Sequence, residues 1–225
     1  MFKADIYHYF DTVDHEMLMS ILEQRIKDQA VLWLVKIILK NYHSDAPNTC
    51  MPLGNWTSQF FANIYLNELD QFVKRELHAT YYIRYVDDFV VLDKNSQTLQ
   101  KYESRIKKFL LKLKLQLHPN KCKITRLNRG TSFLGFRIFQ YHKLVRQRNI
   151  RKIRNKINLL LDEYENNTAK AGIVLDVLQG WNAYAMQANT YQLRTQLTSD
   201  TEQELVKRTI TRKQLREATS IISYS

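Results

Sequence analysis

Cysteine is nearly absent from the 225 residues: only Cys50 and Cys122 occur, and neither has a second Cys or a His at zinc-ligand spacing. That excludes a disulfide scaffold and a structural zinc ribbon, and it fits a reducing, cytoplasmic setting. Proline and glycine are scarce too, at 3 and 5. With no Gly/Ser-rich or Pro-rich linker and no internal repeat, the elements should be joined by short connections. Long apolar runs are also missing. The longest, such as Ala30 to Leu39, is broken by Lys36 and far too short to span a bilayer. No signal peptide is visible at Met1, and no membrane partner is expected. Acid is the remaining shortage. Against 34 Lys and Arg stand 22 Asp and Glu, leaving a formal charge of +12 and a pI near 9.6. A field of that sign attracts polyanions, so nucleic acid is the first partner to consider, beside the plainer reading of a merely basic soluble protein.

What is present is enough apolar material, 44%, for a sizeable core in one large domain or one domain with an appendage. Phe2 to Phe10 reads as a strand, with Asp14 as the N-cap of a helix through Met17, Leu18, Ile21 and Leu22. A second helix is expected through Val31, Leu34, Val35 and Ile38. After a loop with Pro47, Pro52 and Gly54, Ser58 is expected to cap a helix carrying Phe61, Ile64, Tyr65, Leu69, Phe72 and Val73. Tyr81 to Tyr85 and Phe89 to Leu92 form a hairpin candidate with a polar pair at its tip. Leu99, Tyr102, Ile106, Phe109, Leu110 and Leu113 mark an amphipathic helix, followed by strands at Lys123 to Leu127 and Phe133 to Phe139.

This order is the split β-α-β arrangement of ferredoxin-like folds, whose helices cover one sheet face and leave the other open for a duplex. From Gln147 the period becomes helical. Further helices are expected at Thr168 to Asn189 and at Thr201 to Ile221, the last opened by a capping box of Thr201 and Glu204. The class is therefore α+β, with a domain at 1–142 and a helical domain at 143–225.

Asp87 and Asp88 repel one another at the hairpin tip, so a fold that keeps both there usually needs a cation. Magnesium is the expected ion, because it takes one or two carboxylates plus substrate phosphates, and two such ions can activate a hydroxyl and stabilise a leaving pyrophosphate. Asp5, expected within the central strand, is the natural third carboxylate. The alternative is a solvated Asp-Asp turn.

Taken in order, Ala4 to Phe10, Leu53 to Gln59, Tyr85 to Asp88, Lys121, and Phe133 to Gly135 resemble the successive motifs of reverse transcriptases. The resemblance covers most of the chain and implies a polymerase palm followed by an α-helical thumb. It implies RNA-directed DNA polymerase activity, in which deoxynucleotides are added to a primer 3'-hydroxyl. Asp5, Asp87 and Asp88, with the Ile6 carbonyl, would hold two magnesium ions, with manganese as the substitute. Phe10 would be the steric gate against a ribose 2'-hydroxyl, and Lys121 the proton donor to pyrophosphate. Leu53, Gly54, Ser58 and Gln59 would line the nucleotide, and Phe133, Leu134 and Gly135 would grip the primer. Each has a plainer reading: Phe10 as core, Lys121 as a solvated charge, Phe133 to Gly135 as ordinary strand.

Leu53 and Gln59 stand where most of the family has Gln before the glycine and Pro after the serine. That resembles the reverse transcriptases of diversity-generating retroelements, which copy a template RNA with errors at adenines and work with a basic accessory protein. Group II intron, retron and phage-defence relatives stay open, since Ala62, Asn63, Tyr65, Leu66 and Leu69 recur across bacterial-type enzymes. Leu53 removes an amide that could penalise a mispaired nucleotide by being left unpaired, which points to lower fidelity.

Lys143, Arg146, Arg148, Arg151, Lys152, Arg154 and Lys156 form an acid-free segment that can follow the phosphates of a primer-template duplex; a solvated helix face is the alternative. Trp181 and Tyr184 read as core. The family places its basic fingers upstream of the first aspartate, where this sequence leaves no room, so a fragment, a mis-started frame or part of a split enzyme is expected. Two rival classes remain: a non-catalytic RNA-binding scaffold, which would have no use for three repelling carboxylates, and a metal nuclease, which gains nothing from a steric gate.

Overall fold

Alternating burial along Phe2–Asp5 makes β1 an inner strand, with Phe2 and Ala4 fully covered and Lys3 and Asp5 on the opposite face. The computed structural model describes residues 1–41, 48–51 and 54–222, without the side chains of 214–222. They form two compact units, Met1–Arg126 and Leu127–Ser225.

In the first unit β1 lies in a four-stranded sheet with β2 (Tyr81–Tyr85), β3 (Asp88–Leu92) and β4 (Lys123–Ile124), in the order β2-β3-β1-β4. All three pairings are antiparallel, which gives the split β-α-β arrangement. On the inner face Phe2 and Phe89 meet edge to face at 6.0 Å. They share a core with Leu66 and Leu69 of α4 (Trp56–Gln71) and Ile106 and Leu110 of α5 (Ser96–Lys112). Each such side chain contributes about 1.5–3 kcal/mol by leaving water. The outer face stays open, with Tyr81, Ile83 and Tyr85 in solvent.

Several features differ from the sequence pattern. β1 stops at Asp5, because His8 turns left-handed at φ 44° and starts a one-turn helix, α1 (Tyr9–Thr12). Asp5 is therefore at the strand's end, not within it. Asn55, extended at φ −84°, occupies the N-cap of α4, and Ser58 is buried inside that helix. In α3 (Gln29–Lys40) the covered face is Leu32, Val35 and Leu39, while Val31 and Leu34 are exposed. The expected stripe of Val31, Leu34, Val35 and Ile38 shares only Val35 with this covered face, because nearly every position there is apolar and several stripes fit the period. Asp14 does cap α2 (His15–Glu23), its carboxylate accepting from the Met17 amide at 2.8 Å.

The second unit begins with a meander of β5 (Thr131–Phe133), β6 (Phe136–Ile138) and β7 (Lys143–Val145). Helices α6 (Gln147–Glu165), α7 (Ala171–Ala185) and α8 (Tyr191–Ile222) follow. The division falls after Arg126 instead of near residue 142, because β6 pairs with β7 and Phe136 enters one core with Ile153, Leu178 and Trp181. Phe133 to Phe139 is not one strand: Leu134 and Gly135, at φ 46° and 84°, turn the chain between β5 and β6. Nor does Thr201 cap a helix. It is buried inside α8, its hydroxyl donating to the Leu197 carbonyl at 2.7 Å, and Tyr191 opens that helix in solvent.

Candidate active site

The register of β1 and β3 sets Asp5 directly opposite Asp88, and Val86 and Asp87 form the two-residue turn that joins β2 to β3. The Ile6 amide donates to the Asp87 carbonyl at 3.2 Å, which ties the turn to β1. Lys121 lies across both Asp5 oxygens, its Nζ 3.2 Å from each, and Lys3 donates to Asp88 Oδ2 at 3.1 Å. The other oxygen, Asp88 Oδ1, is buried and has no hydrogen-bond partner among the described residues. Burial raises the pKa of Asp87, and the charges of Asp5 and Asp88 push it the same way against Lys121. Three carboxylates thus share one repulsive field, with two lysines as counter-charges.

Among the described residues, no group of three or more His, Cys, Asp or Glu side chains is gathered closely enough to hold a metal ion. The donor chemistry nevertheless suits a hard divalent cation. It consists of carboxylate oxygens, one of them buried with no partner among the described residues, and ammonium groups occupy the neighbourhood where a cation would neutralise them.

Lys3 and Arg84 were not singled out from the sequence. Lys3 is two residues before Asp5 in a strand, so period-2 alternation alone puts both on one face. Arg84 alternates with Tyr81, Ile83 and Tyr85 and so faces inward, where its side chain is only 9% exposed. An arginine there requires an acidic partner, which is Asp70 of α4.

The other expected residues of this unit are more scattered. Phe10 is half-buried in α1, edge-on to Tyr9, and its carbonyl accepts from the Met51 amide at 2.7 Å. Gly54 is exposed at φ 91°. Gln59 is exposed on α4, its carbonyl accepting from Asn63 Nδ2 at 3.0 Å. Ser58 points into the protein, and Leu53 lies outside the described residues.

In the second unit the Phe133–Gly135 hairpin is fastened to two helices. The Gly135 carbonyl accepts from Tyr184 Oη at 3.0 Å, Asn149 Nδ2 at 3.3 Å and the Arg146 amide at 3.2 Å. Lys143 reaches back over the Phe136 ring. Arg146, Arg148, Arg151, Lys152, Arg154 and Lys156 are all exposed at the start of α6, while Ile153 and Ile157 of the same helix are buried.

Residues 1–138 match the family model described as reverse transcriptase (RNA-dependent DNA polymerase). The chain belongs to the reverse transcriptase family. The matched stretch takes in Asp5, Asp87, Asp88, Lys121 and the Phe133–Gly135 turn, and it ends before the basic residues of α6. Among curated relatives, this reverse transcriptase domain is 30% identical to protein YkfC of Escherichia coli K12, over 65% of this chain and 47% of the relative. It is 27% identical to the group II intron-encoded protein LtrA of Lactococcus lactis, over 60% of this chain and 34% of the relative. The chain thus spans less than half the length of either. A telomerase from Candida albicans, solved with a fragment of telomeric RNA, aligns with 94% of this chain and 45% of its own at 12% identity and a TM-score of 0.49. Among the described residues, no helix is long and apolar enough to cross a membrane.

Proposed function

We propose that this chain carries the catalytic centre of an RNA-directed DNA polymerase, in which the first unit acts as palm and the second as thumb. The observation that carries the reading is the meeting of Asp5 and Asp88 across one register on a solvent-open sheet face, with Asp87 in the adjoining turn. Two magnesium ions, or manganese in their place, held by Asp5, Asp87, Asp88 and the Ile6 carbonyl, would activate the primer 3'-hydroxyl and offset charge on the triphosphate.

The chain's own groups supply the rest. The bond formed joins the primer 3'-oxygen, whose proton passes to solvent water, to the α-phosphorus, and the bond broken joins that phosphorus to the bridging oxygen of the leaving pyrophosphate. Lys121, 56% exposed beside Asp5, turns its ammonium to that oxygen and delivers the proton. Phe10 closes the 2' side of the sugar and selects deoxynucleotides. The Gly54 loop with Ser58 and Gln59 borders the nucleotide, the Gly135 turn holds the primer, and the basic start of α6 follows the backbone of the template RNA and primer duplex.

An intron-type RNA is the template class favoured by the likeness to LtrA. A second reading, error-prone copying of a diversity-generating retroelement with a basic accessory protein, is favoured by Leu53 and Gln59 around Gly54. An unchanged error spectrum in Leu53→Gln removes that second reading.

Primer extension on RNA and DNA templates in magnesium, with Asp87→Asn as the control, tests the main one. Extension that requires Asp87 is the expected result. RNA binding without any magnesium-dependent extension would point to a scaffold instead.

A further inference from the structure

Val86 sits at φ 53° in the turn that carries Asp87. A β-branched residue is seldom found in that left-handed region, and such a conformation persists only where its surroundings enforce it. The two carbonyls of the turn are both held. Asp87 O takes the Ile6 amide at 3.2 Å, and Val86 O takes Arg84 Nη1 at 2.9 Å.

Arg84 is itself fixed from behind. Its Nε and Nη2 donate to Asp70 Oδ1 and Oδ2 at 2.8 and 2.6 Å, a two-pronged pairing that sets the plane of the guanidinium. Tyr82, two residues earlier on the same inward side of β2, donates its hydroxyl to Asp70 Oδ1 at 2.7 Å. Arg84 Nη1 also reaches Asn63 Oδ1 at 3.3 Å. Asp70 and Asn63 both belong to α4, the helix that begins just after Gly54. One helix therefore braces the turn through one side chain.

We infer that Arg84, anchored by Asp70, is a positioning residue that holds the Val86–Asp87 turn in the shape that presents Asp87 to a divalent cation; this rests on the polymerase reading. A lysine could keep the charge but not the fork that grips Asp70 and the Val86 carbonyl together. A purely structural pair would brace the sheet against α4 without affecting cation binding.

The experiment measures Mn2+ binding to the full chain by electron paramagnetic resonance, beside thermal melting, for the unmodified protein, Asp87→Asn, Arg84→Lys and Tyr82→Phe. The unmodified protein is expected to bind Mn2+ and Asp87→Asn to lose it. Arg84→Lys should melt cooperatively yet bind about 10–100-fold more weakly, the range typical for groups that orient a ligand. Its primer extension should need correspondingly more magnesium, with kcat falling more than the KM for nucleotide rises. Tyr82→Phe should shift in the same direction by less.

A folded Arg84→Lys with unaltered Mn2+ affinity overturns the positioning role and leaves the polymerase reading standing. If Arg84→Lys does not fold, unaltered affinity in Tyr82→Phe overturns it equally. Absence of any Asp87-dependent Mn2+ binding in the unmodified protein overturns both.

Discussion

Asp5 and Asp88 are partners in the antiparallel register of β1 and β3, a like-charge pair directly opposite across two strands. Such pairs destabilise a sheet, and here Asp87 adds a third charge whose ionisation burial already opposes. Lys121 and Lys3 offset part of the repulsion. Asp87→Asn in metal-free buffer should therefore raise Tm by about 2–4 °C while abolishing magnesium-dependent extension, a gain of stability against function. Scanning calorimetry beside an extension assay checks this; a lower Tm would show that the carboxylate is structural.

Lys121 is exposed and its ion pair among the described residues is with Asp5, so its loss should cost little stability. Lys121→Ala is expected to lower kcat by about 10²-fold, at the lower end for a lost proton donor. Single-turnover extension reads that directly. A loss confined to KM would make Lys121 a substrate-binding charge instead.

The basic start of α6 is a prediction about salt. Arg148, Arg151 and Lys152 are exposed there, and every phosphate that a cationic side chain neutralises steepens the dependence of binding on ionic strength. Replacing Arg148 and Arg151 by Gln should weaken primer-template binding for all sequences alike and flatten the slope of log K against log salt by about 1 for each phosphate no longer neutralised. Unchanged slope and affinity in filter binding would return this strip to a solvated helix face.

Local chemistry made part of this site legible. Aromatic and β-branched residues on both sides of Asp87 and Asp88 dictate a hairpin, and Asp14 ahead of an apolar helical stripe dictates a cap. The unread part depends on pairings between residues far apart in the chain. Nothing near Arg84 names Asp70 as its partner, and nothing near Gly135 names Tyr184. The covered face of α3 was hidden for another reason, since Ala30 to Leu39 offers competing stripes that only packing against α2 resolves. Phe133 to Phe139 reads as one strand because its residues are aromatic or aliphatic except Gly135 and Arg137, and only the positive φ of Leu134 and Gly135 reveals the reversal.

Asp14 couples the first unit's stability to pH. Burial would raise its pKa, but hydrogen bonds from Lys114, at 2.6 Å, and from the Met17 amide, with the lysine's charge, together bring it below its ordinary 3.8. A carboxyl with a depressed folded pKa contributes stability at and above its unfolded pKa and loses it as pH falls through the folded value. Asp14→Ala should cost about 1 kcal/mol at pH 7 through the lost cap, and the gap to the unmodified protein should narrow below pH 3.8. Urea melts at pH 7 and pH 3 measure both; a gap constant with pH would show the cap to be independent of charge.

Gly135 leaves no room for a side chain unless its neighbours move. It sits at φ 84°, and a Cβ there would come within 2.5 Å of Tyr184 Oη and 3.2 Å of Asn149 Nδ2, two of the groups that hold its own carbonyl. Gly135→Ala therefore strains the backbone and dislodges the tyrosine that stacks on Phe136 at 4.9 Å, for an expected cost of about 1–3 kcal/mol. Tyr184→Phe removes the atom in conflict but also one donor to the Gly135 carbonyl. The two changes share a partner, so their costs should not add: Gly135→Ala should be milder in the Tyr184→Phe background by about 0.5 kcal/mol or more. A double-mutant cycle by denaturant unfolding gives that coupling. Strict additivity would mean that the left-handed backbone, and not the close approach of Tyr184, is what requires glycine here.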